Sequence, residues 1–330
     1  MKKIRIIPFK SLMFTLAFSI FAILFAACDG NNSVSPDDKV SEKDIKAEIV
    51  KLNVTITAKA FFNIASQLLN YENVDNYYRF YVNDNLFFED STGYYFVEDL
   101  EGNMIAHGVN PDLEGQNRYD VQDLKGKYHV REMLDSINKR GQGTIRYYFL
   151  NPTTQQQQEK TAFVYEIPFV EMFVGSGYYE TGQYEELTKL ESNKQIIRNV
   201  VHSSATGLSN IIDNNDYDEM QKNKLMQIYV TDIIFFEDST GYFFIYNIDG
   251  TCVAHPMQRD IEGVNRIEHT DSKGKEYIRE MCEKATSPGF GFIDYHKKNF
   301  ETGADESKMS YVERIPGTDY FIGVGVYLGE

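Results

Sequence analysis

Ile45, Ile49, Leu52, Ile56, Phe61, Ile64 and Leu68 recur at helical spacing behind Ser41, with Asp44 three positions on as an imperfect capping box. The pattern predicts one long amphipathic helix. Asn70 to Asp75 breaks it, and Tyr77 to Phe88 reads as a second helical stretch. The period then changes to two. Tyr94 to Glu98 is aromatic and β-branched, Asp99-Leu100-Glu101-Gly102 signals a turn, and Asn103 to His107 supplies the second strand of a hairpin. A loop with Pro111, Gly115 and Asn117 leads to a short helix near Val130 to Asn138. Three more strands follow near Gly143 to Phe149, Lys160 to Ile167 and Phe169 to Tyr178. The expected fold class is α+β: a long N-terminal helix packed on a five-stranded antiparallel sheet, helices on one face and a loop-and-helix lid over the other.

The whole pattern is then repeated. FFEDSTGYYF at Phe87 to Phe96 returns as FFEDSTGYFF at Phe235 to Phe244, an offset of 148 residues. The same offset carries His107 onto His255, Arg131-Glu132-Met133 onto Arg279-Glu280-Met281, Tyr147 onto Tyr295, Lys160 onto Lys308 and Tyr179 onto Tyr327, with no gap. Two copies of one domain are expected, over 41–182 and 183–330. The second begins with a helix from about Tyr184 to Ile212, broken at Asp213 to Asp216 and followed by another from about Asp218 to Phe235.

Met1 to Ala27 has the parts of an export signal: Lys2, Lys3, Arg5 and Lys10, an apolar run from Leu12, and small residues ahead of Cys28. Leu24-Phe25-Ala26-Ala27-Cys28 resembles a bacterial lipobox, which would make Cys28 the lipidated first residue of the mature chain. Phe25 is bulkier than that pattern prefers, and the alternative is an uncleaved anchor, since the apolar run nearly spans a bilayer. Either way the body is expected outside the cytoplasm, tethered to the cell membrane or outer membrane, with 28–40 as a flexible polar tether. The net charge of −16 repels nucleic acid and anionic lipid heads, so neither is an expected partner. Cys252 and Cys282 fall on Met104 and Leu134 in the first copy, so both positions read as core. A disulfide between them is conceivable in an oxidising compartment, but the sequence does not show that they touch. Their spacing does not suit a metal site.

GYFFIYNIDGTCVAHPMQRDIEGVN from Gly241 to Asn265, then Asp271, Gly274-Lys275, Lys308 to Val312, Ile315-Pro316 and Gly323 to Tyr327, together resemble the single Cache domain of type 2. This is the extracytoplasmic sensor module of many bacterial chemoreceptors and histidine kinases. The first copy departs from it at Gly108, where the second has Pro256, and at Thr161-Ala162-Phe163 in place of Met309-Ser310-Tyr311. The resemblance implies two tandem PAS-like domains that bind small organic ligands, often short carboxylates, in a pocket between sheet and lid.

Independently of that resemblance, a small anion in a water-poor pocket needs charge-assisted donors and apolar walls. Each copy offers a histidine at a strand end (His107, His255), a lysine opening a strand (Lys160, Lys308), a strand tyrosine (Tyr147, Tyr295) and an aromatic strand. Alternation lets only half of an aromatic strand face a ligand, and Tyr94, Phe96, Tyr242 and Phe244 are favoured over Tyr95 and Phe243. The alternatives are a structural histidine, a lysine on a solvated sheet edge and a core tyrosine. Asp123 and Asp271 read as turn residues, and Arg131 and Arg279 as lid structure. The acidic residues read as scattered over turns and helix faces. No catalytic motif such as GxSxG, HExxH or a Walker loop is present, and neither a cofactor nor enzymatic activity is expected.

The sequence stops at Glu330 without a second membrane helix or output domain. The expectation is therefore a tethered small-molecule sensor that signals through a membrane receptor, kinase or transporter partner. The competing reading is a structural or protein-interaction lipoprotein whose pockets have decayed.

Overall fold

The computed structural model describes residues 39–69, 73–236 and 239–328, so the leader, Cys28 and nearly all of the tether lie outside the described residues. The first copy runs β1 (Lys39–Ser41), α1 (Glu42–Gln67), α2 (Val74–Val82), β2 (Tyr95–Asp99), β3 (Met104–His107), α3 (His129–Arg140), β4 (Gln142–Leu150), β5 (Gln157–Glu166) and β6 (Met172–Tyr179). The second runs β7 (Glu186–Thr188), α4 (Lys189–Asp213), α5 (Glu219–Val230), β8 (Ile234–Phe235), β9 (Gly241–Asn247), β10 (Cys252–Ala254), α6 (Tyr277–Thr286), β11 (Phe290–Lys298), β12 (Asp305–Arg314) and β13 (Tyr320–Tyr327).

Each copy forms an antiparallel sheet, in order β3-β2-β6-β5-β4 and β10-β9-β13-β12-β11, with the short β8 added against β9 in the second. One face of both sheets joins α1, α2, α4 and α5 in a single continuous core, holding Tyr95, Val97 and Val174 from one copy and Phe243, Ile245 and Val324 from the other. The opposite faces carry separate smaller cores, under α3 around Phe96 and Ile145, and under α6 around Phe244 and Ile293. Strand alternation thus sends successive aromatic residues of β2 and β9 into different cores.

Several boundaries differ from the sequence expectation. Helix α2 stops at Val82 rather than Phe88, because Asp84 takes a left-handed conformation (φ 49°), as its equivalent Asp232 does (φ 55°) after α5. That turn also leaves Ile234 and Phe235 free to pair as β8 instead of extending α5. Helix α4 begins at Lys189 behind a full capping box between Thr188 and Glu191, so Glu186 to Thr188 remain a strand. Ser41 caps α1 by accepting from Lys43 N alone. Phe169 and Val170 lie in the turn ahead of β6, which starts at Met172.

Equivalent residues of the two copies meet one another. Ahead of the loop between the two helices of each copy the offset is 147, as between the helix caps Ser41 and Thr188, and β1 pairs antiparallel with β7 so that Val40 lies opposite its counterpart Leu187. Tyr81 and Tyr229, 148 residues apart, share a buried hydroxyl–hydroxyl hydrogen bond of 2.9 Å. Asn63 Nδ2 donates to Thr231 O at 2.7 Å, and Asn210 Nδ2 donates to Asn83 O at 2.7 Å, one bond made in both directions. Such reciprocity is the pattern of an isologous interface between two protomers, formed here inside one chain. In the first copy, the start of the repeated string, Phe87 to Gly93, also sits on this interface. Phe87 and Phe88 pack edge to face, and Asp90 Oδ1 closes the turn by accepting from Thr92 N at 3.0 Å. Glu89 pairs with Arg198 of the other copy. Gly93 is required because a Cβ there would lie 2.6 Å from both phenylalanine rings.

Candidate functional site

Between each sheet and its lid helix lies a cluster of aromatic and ionisable side chains. The two clusters occupy equivalent positions. In the first, Tyr94, just ahead of β2, and Phe96 and Glu98 of β2 share a cavity with His107, Arg118, His129, Tyr147 and Lys160. In the second, Tyr242, Phe244 and Tyr246 of β9 share a core with Tyr295 and Tyr277, and Tyr242 contacts His255 and Lys308. Tyr95 and Phe243 face the helices instead.

The lysines are only 1 % exposed, which removes the sheet-edge alternative. Each lies between two strand tyrosines, Lys160 opposite Tyr147 and Tyr179, Lys308 opposite Tyr295 and Tyr327. The Lys160 ammonium lies 3.6 Å over the Tyr94 ring, and Lys308 Nζ donates to Tyr242 OH at 3.1 Å. Their stems cross the central strand at Gly177 and Gly325, where a Cβ would come within 2.9 and 2.6 Å of the lysine Cε. The repeated glycines of β6 and β13 therefore make the room in which the lysines lie.

His107 and His255 are buried, and both are pushed down to about 3, first by burial and then by neighbouring cations. For His107 those cations are Lys160 and Arg118; for His255 they are Lys297, Lys308 and Arg266. Both imidazoles are neutral at physiological pH. His107 Nδ1 accepts from Asn110 N at 3.1 Å and Val109 N at 3.4 Å, which leaves the proton on Nε2. His255 Nδ1 is buried without a partner, as is Arg266 Nε.

The lid rests on the strands through one stacked pair in each copy. His129 lies 4.5 Å from Tyr147 with parallel planes, and Tyr277 lies 4.4 Å from Tyr295 at 3°. Tyr295 OH also meets Ser310 Oγ at 3.0 Å, a contact that Ala162 cannot make for Tyr147. Asp123 and Asp271 hold turns by accepting from backbone N–H groups of Lys125, Lys127 and Tyr148, and of Lys273, Lys275 and His296. Arg131 lies on the lid surface, over the Tyr128 ring and paired with Asp120.

Five residues of these clusters were not picked out in the sequence reading. Arg118 and Arg266 match at the repeat offset and were available to it. Glu98, His129 and Lys297 were hidden because their counterparts are Tyr246, Tyr277 and Phe149, so repetition pointed away from them. Glu98 is an exception to the reading that the acidic residues lie on turns and helix faces: it is 2 % exposed, within an aromatic strand. Cys252 and Cys282 are free thiols, both buried, and burial pushes each up to about 11. Among the described residues no cluster of His, Cys, Asp and Glu suits a metal ion, and no helix is long and apolar enough to cross a membrane.

The model of the Cache domain family, in its dCache_2 form, matches residues 42–330. A sensor histidine kinase, MctS of Rhizobium johnstonii, is 28% identical over 145 residues, covering 44% of this chain and 31% of the kinase. A methyl-accepting chemotaxis protein, McpP of Pseudomonas putida, is 27% identical over 90 residues, 27% of this chain and 16% of that protein. The chain thus spans under a third of the length of these curated relatives. Among solved structures, a Cache chemosensory domain described for carboxylic acid recognition is 23% identical, covers 42% of this chain and 92% of its own, and gives a TM-score of 0.37. The sensor domain of the Vibrio cholerae histidine kinase DctB is 11% identical over 87% of this chain and 91% of its own, with a TM-score of 0.27.

Proposed function

Because the chain belongs to the Cache domain family of sensor domains, we propose that it is an extracytoplasmic, membrane-tethered receptor for small organic anions, carboxylates foremost. The carrying observation is the charge around His255. Lys297, Lys308 and Arg266 all lie near enough to depress it, and Lys297 is itself pushed down to about 8 by burial and by Arg266. Where the first copy has Glu98, the second has Tyr246, and the nearby Glu262 is engaged by His255 N and Arg259. Three cations gathered round one neutral imidazole favour an anion, and a carboxylate accepting from Lys308 and Arg266 would meet them while Tyr242, Phe244 and Tyr295 exclude water.

A thermal-shift panel on the full chain tests this reading. Short carboxylates should raise the melting temperature, with about 2.7 kcal/mol of stabilisation at a hundredfold excess over Kd, and their uncharged amides should not. A flat response from cooperatively melting protein would overturn the reading and leave the structural lipoprotein as the better account.

The tether belongs to the same proposal. With the lipobox-like residues before Cys28, the chain is expected to take up labelled palmitate in a bacterial host and to sediment with membranes. Cys28→Ala should abolish the label; a labelled Cys28→Ala chain would exclude lipidation there. Output is then passed to a membrane partner, a receptor, kinase or transporter, and cross-linking in ligand-treated membranes should yield a ligand-dependent adduct. An adduct pattern indifferent to ligand would count against a signalling partner.

A further inference from the structure

The two clusters differ in charge in a way that points to different ligands. We propose that the first pocket takes an acid bearing a hydrogen-bond donor beside its carboxylate, hydroxyl or ammonium, with Glu98 as the acceptor, whereas the second takes a plain carboxylate. The inference rests on the reading of both clusters as organic-anion sites.

Glu98 follows Tyr94 and Phe96 on the lid-side face of β2 and lines the first cavity with them. Its Oε2 is buried without a hydrogen-bond partner, and so is Nδ1 of His129, 4 % exposed, on the same cavity wall. A glutamate retained only for the fold would have both oxygens satisfied, as buried polar groups almost always are. Burial raises its affinity for a proton, to a pKa of about 8, against the opposing pull of Arg118. Glu98 also lies close enough to Tyr147 to raise that phenol. Lys160 and Arg118 remain on the same cavity to receive a carboxylate. A ligand with an anionic end for those cations and a donor end for the Glu98 oxygen meets both; propionate or acetate would leave that oxygen unmet.

The second copy has lost the acceptor and gained a cation. Tyr246 replaces Glu98 and Lys297 replaces Phe149, so a donor on the ligand would find no carboxylate there. The first cavity encloses about 290 Å³ of non-atom space up to its mouth, of which about 20 Å³ admits the centre of a water. That is room for one or two waters, so the ligand is among the smallest organic acids and α3 must shift outward to admit it.

Propionate, lactate and alanine share one carbon skeleton and differ only in the group beside the carboxylate, which makes them the probes. Calorimetric titration of the full chain carrying Lys308→Met, which disables the second pocket, should show lactate or alanine binding at least tenfold more tightly than propionate. Which of the two binds distinguishes a hydroxyl donor from an ammonium. Glu98→Leu, which removes the acceptor, should reduce that preference to under threefold. Glu98→Tyr, which installs the second copy's residue, should remove it, and either variant suffices should the other fail to fold. Equal affinity for all three acids, or a preference that survives both substitutions, overturns the inference. Propionate bound by the unmutated chain, with neither lactate nor alanine bound by the Lys308→Met chain, overturns this inference and leaves the broader reading standing. No binding of any acid to the unmutated chain overturns both.

Discussion

Tyr81→Ala should destabilise the chain by about 3–5 kcal/mol, the range for deleting a buried aromatic side chain, and should loosen both sheets together. The Tyr81 ring is fully buried and contacts Phe61, Tyr95 and Tyr229, with centroids 5.1, 5.9 and 6.2 Å away. A Cβ on Gly207 of α4 would lie 2.2 Å from the same ring, so the two copies are in direct contact with no slack. Loss of the ring therefore opens a cavity in the core that both copies share. Tyr81→Phe, which keeps the ring and forfeits the hydroxyl's bonds to Tyr229 and Thr57, should cost about 1 kcal/mol. Hydrogen exchange resolves the effect by region. Faster exchange in β9 and β13 as well as in β2 and β6 is expected; a change confined to the first copy would show that the copies unfold independently and that the interface is incidental.

Lys308→Met should weaken carboxylate binding at the second pocket by about a hundredfold or more, equivalent to roughly 3 kcal/mol, since it removes a buried charged donor from an anion. The unliganded protein should be unchanged in stability or gain some, because methionine fills similar volume without the cost of taking an ammonium out of water. Binding and stability moving in opposite directions is the signature of a residue kept for its ligand. Titration calorimetry with propionate, beside thermal melts without it, reads both quantities. A variant that melts lower and binds as before would assign Lys308 to the fold alone.

The parts of the structure that depend on local chain properties were legible in the sequence. The 3.6-residue period of Ile45 to Leu68 and the two-residue period of Tyr94 to Glu98 specified helix and strand, and the repeat specified that there are two of everything. Element ends were less so. Asp84 and Asp232 end their helices through a backbone conformation that composition does not reveal, and β8 exists only because that turn releases two residues to a neighbouring strand. The candidate site divided along the same line. Residues identical in both copies, His107 and His255 or Lys160 and Lys308, could be read from repetition. Glu98 and Lys297 could not, since their interest lies in being different, and only burial against named neighbours brings it out. The longest shared string, FFEDSTGY, also served two ends: Phe87 joins the core that both copies share and Glu89 pairs with Arg198, whereas Tyr94 and Tyr242 at its end enter the two clusters.

That arrangement bears on behaviour at low abundance. Two separate protomers joined by an interface of this kind would part on dilution, and any signal that depended on their pairing would fade with copy number. Here the ribbon of Val40 against Leu187 and the intervening polypeptide hold the halves at an effective local concentration fixed by the chain itself. A single molecule is already fully paired. Because each half is encoded once, a substitution such as Tyr246 for Glu98 alters one side and not the other, a freedom that a homodimer with two identical subunits never has.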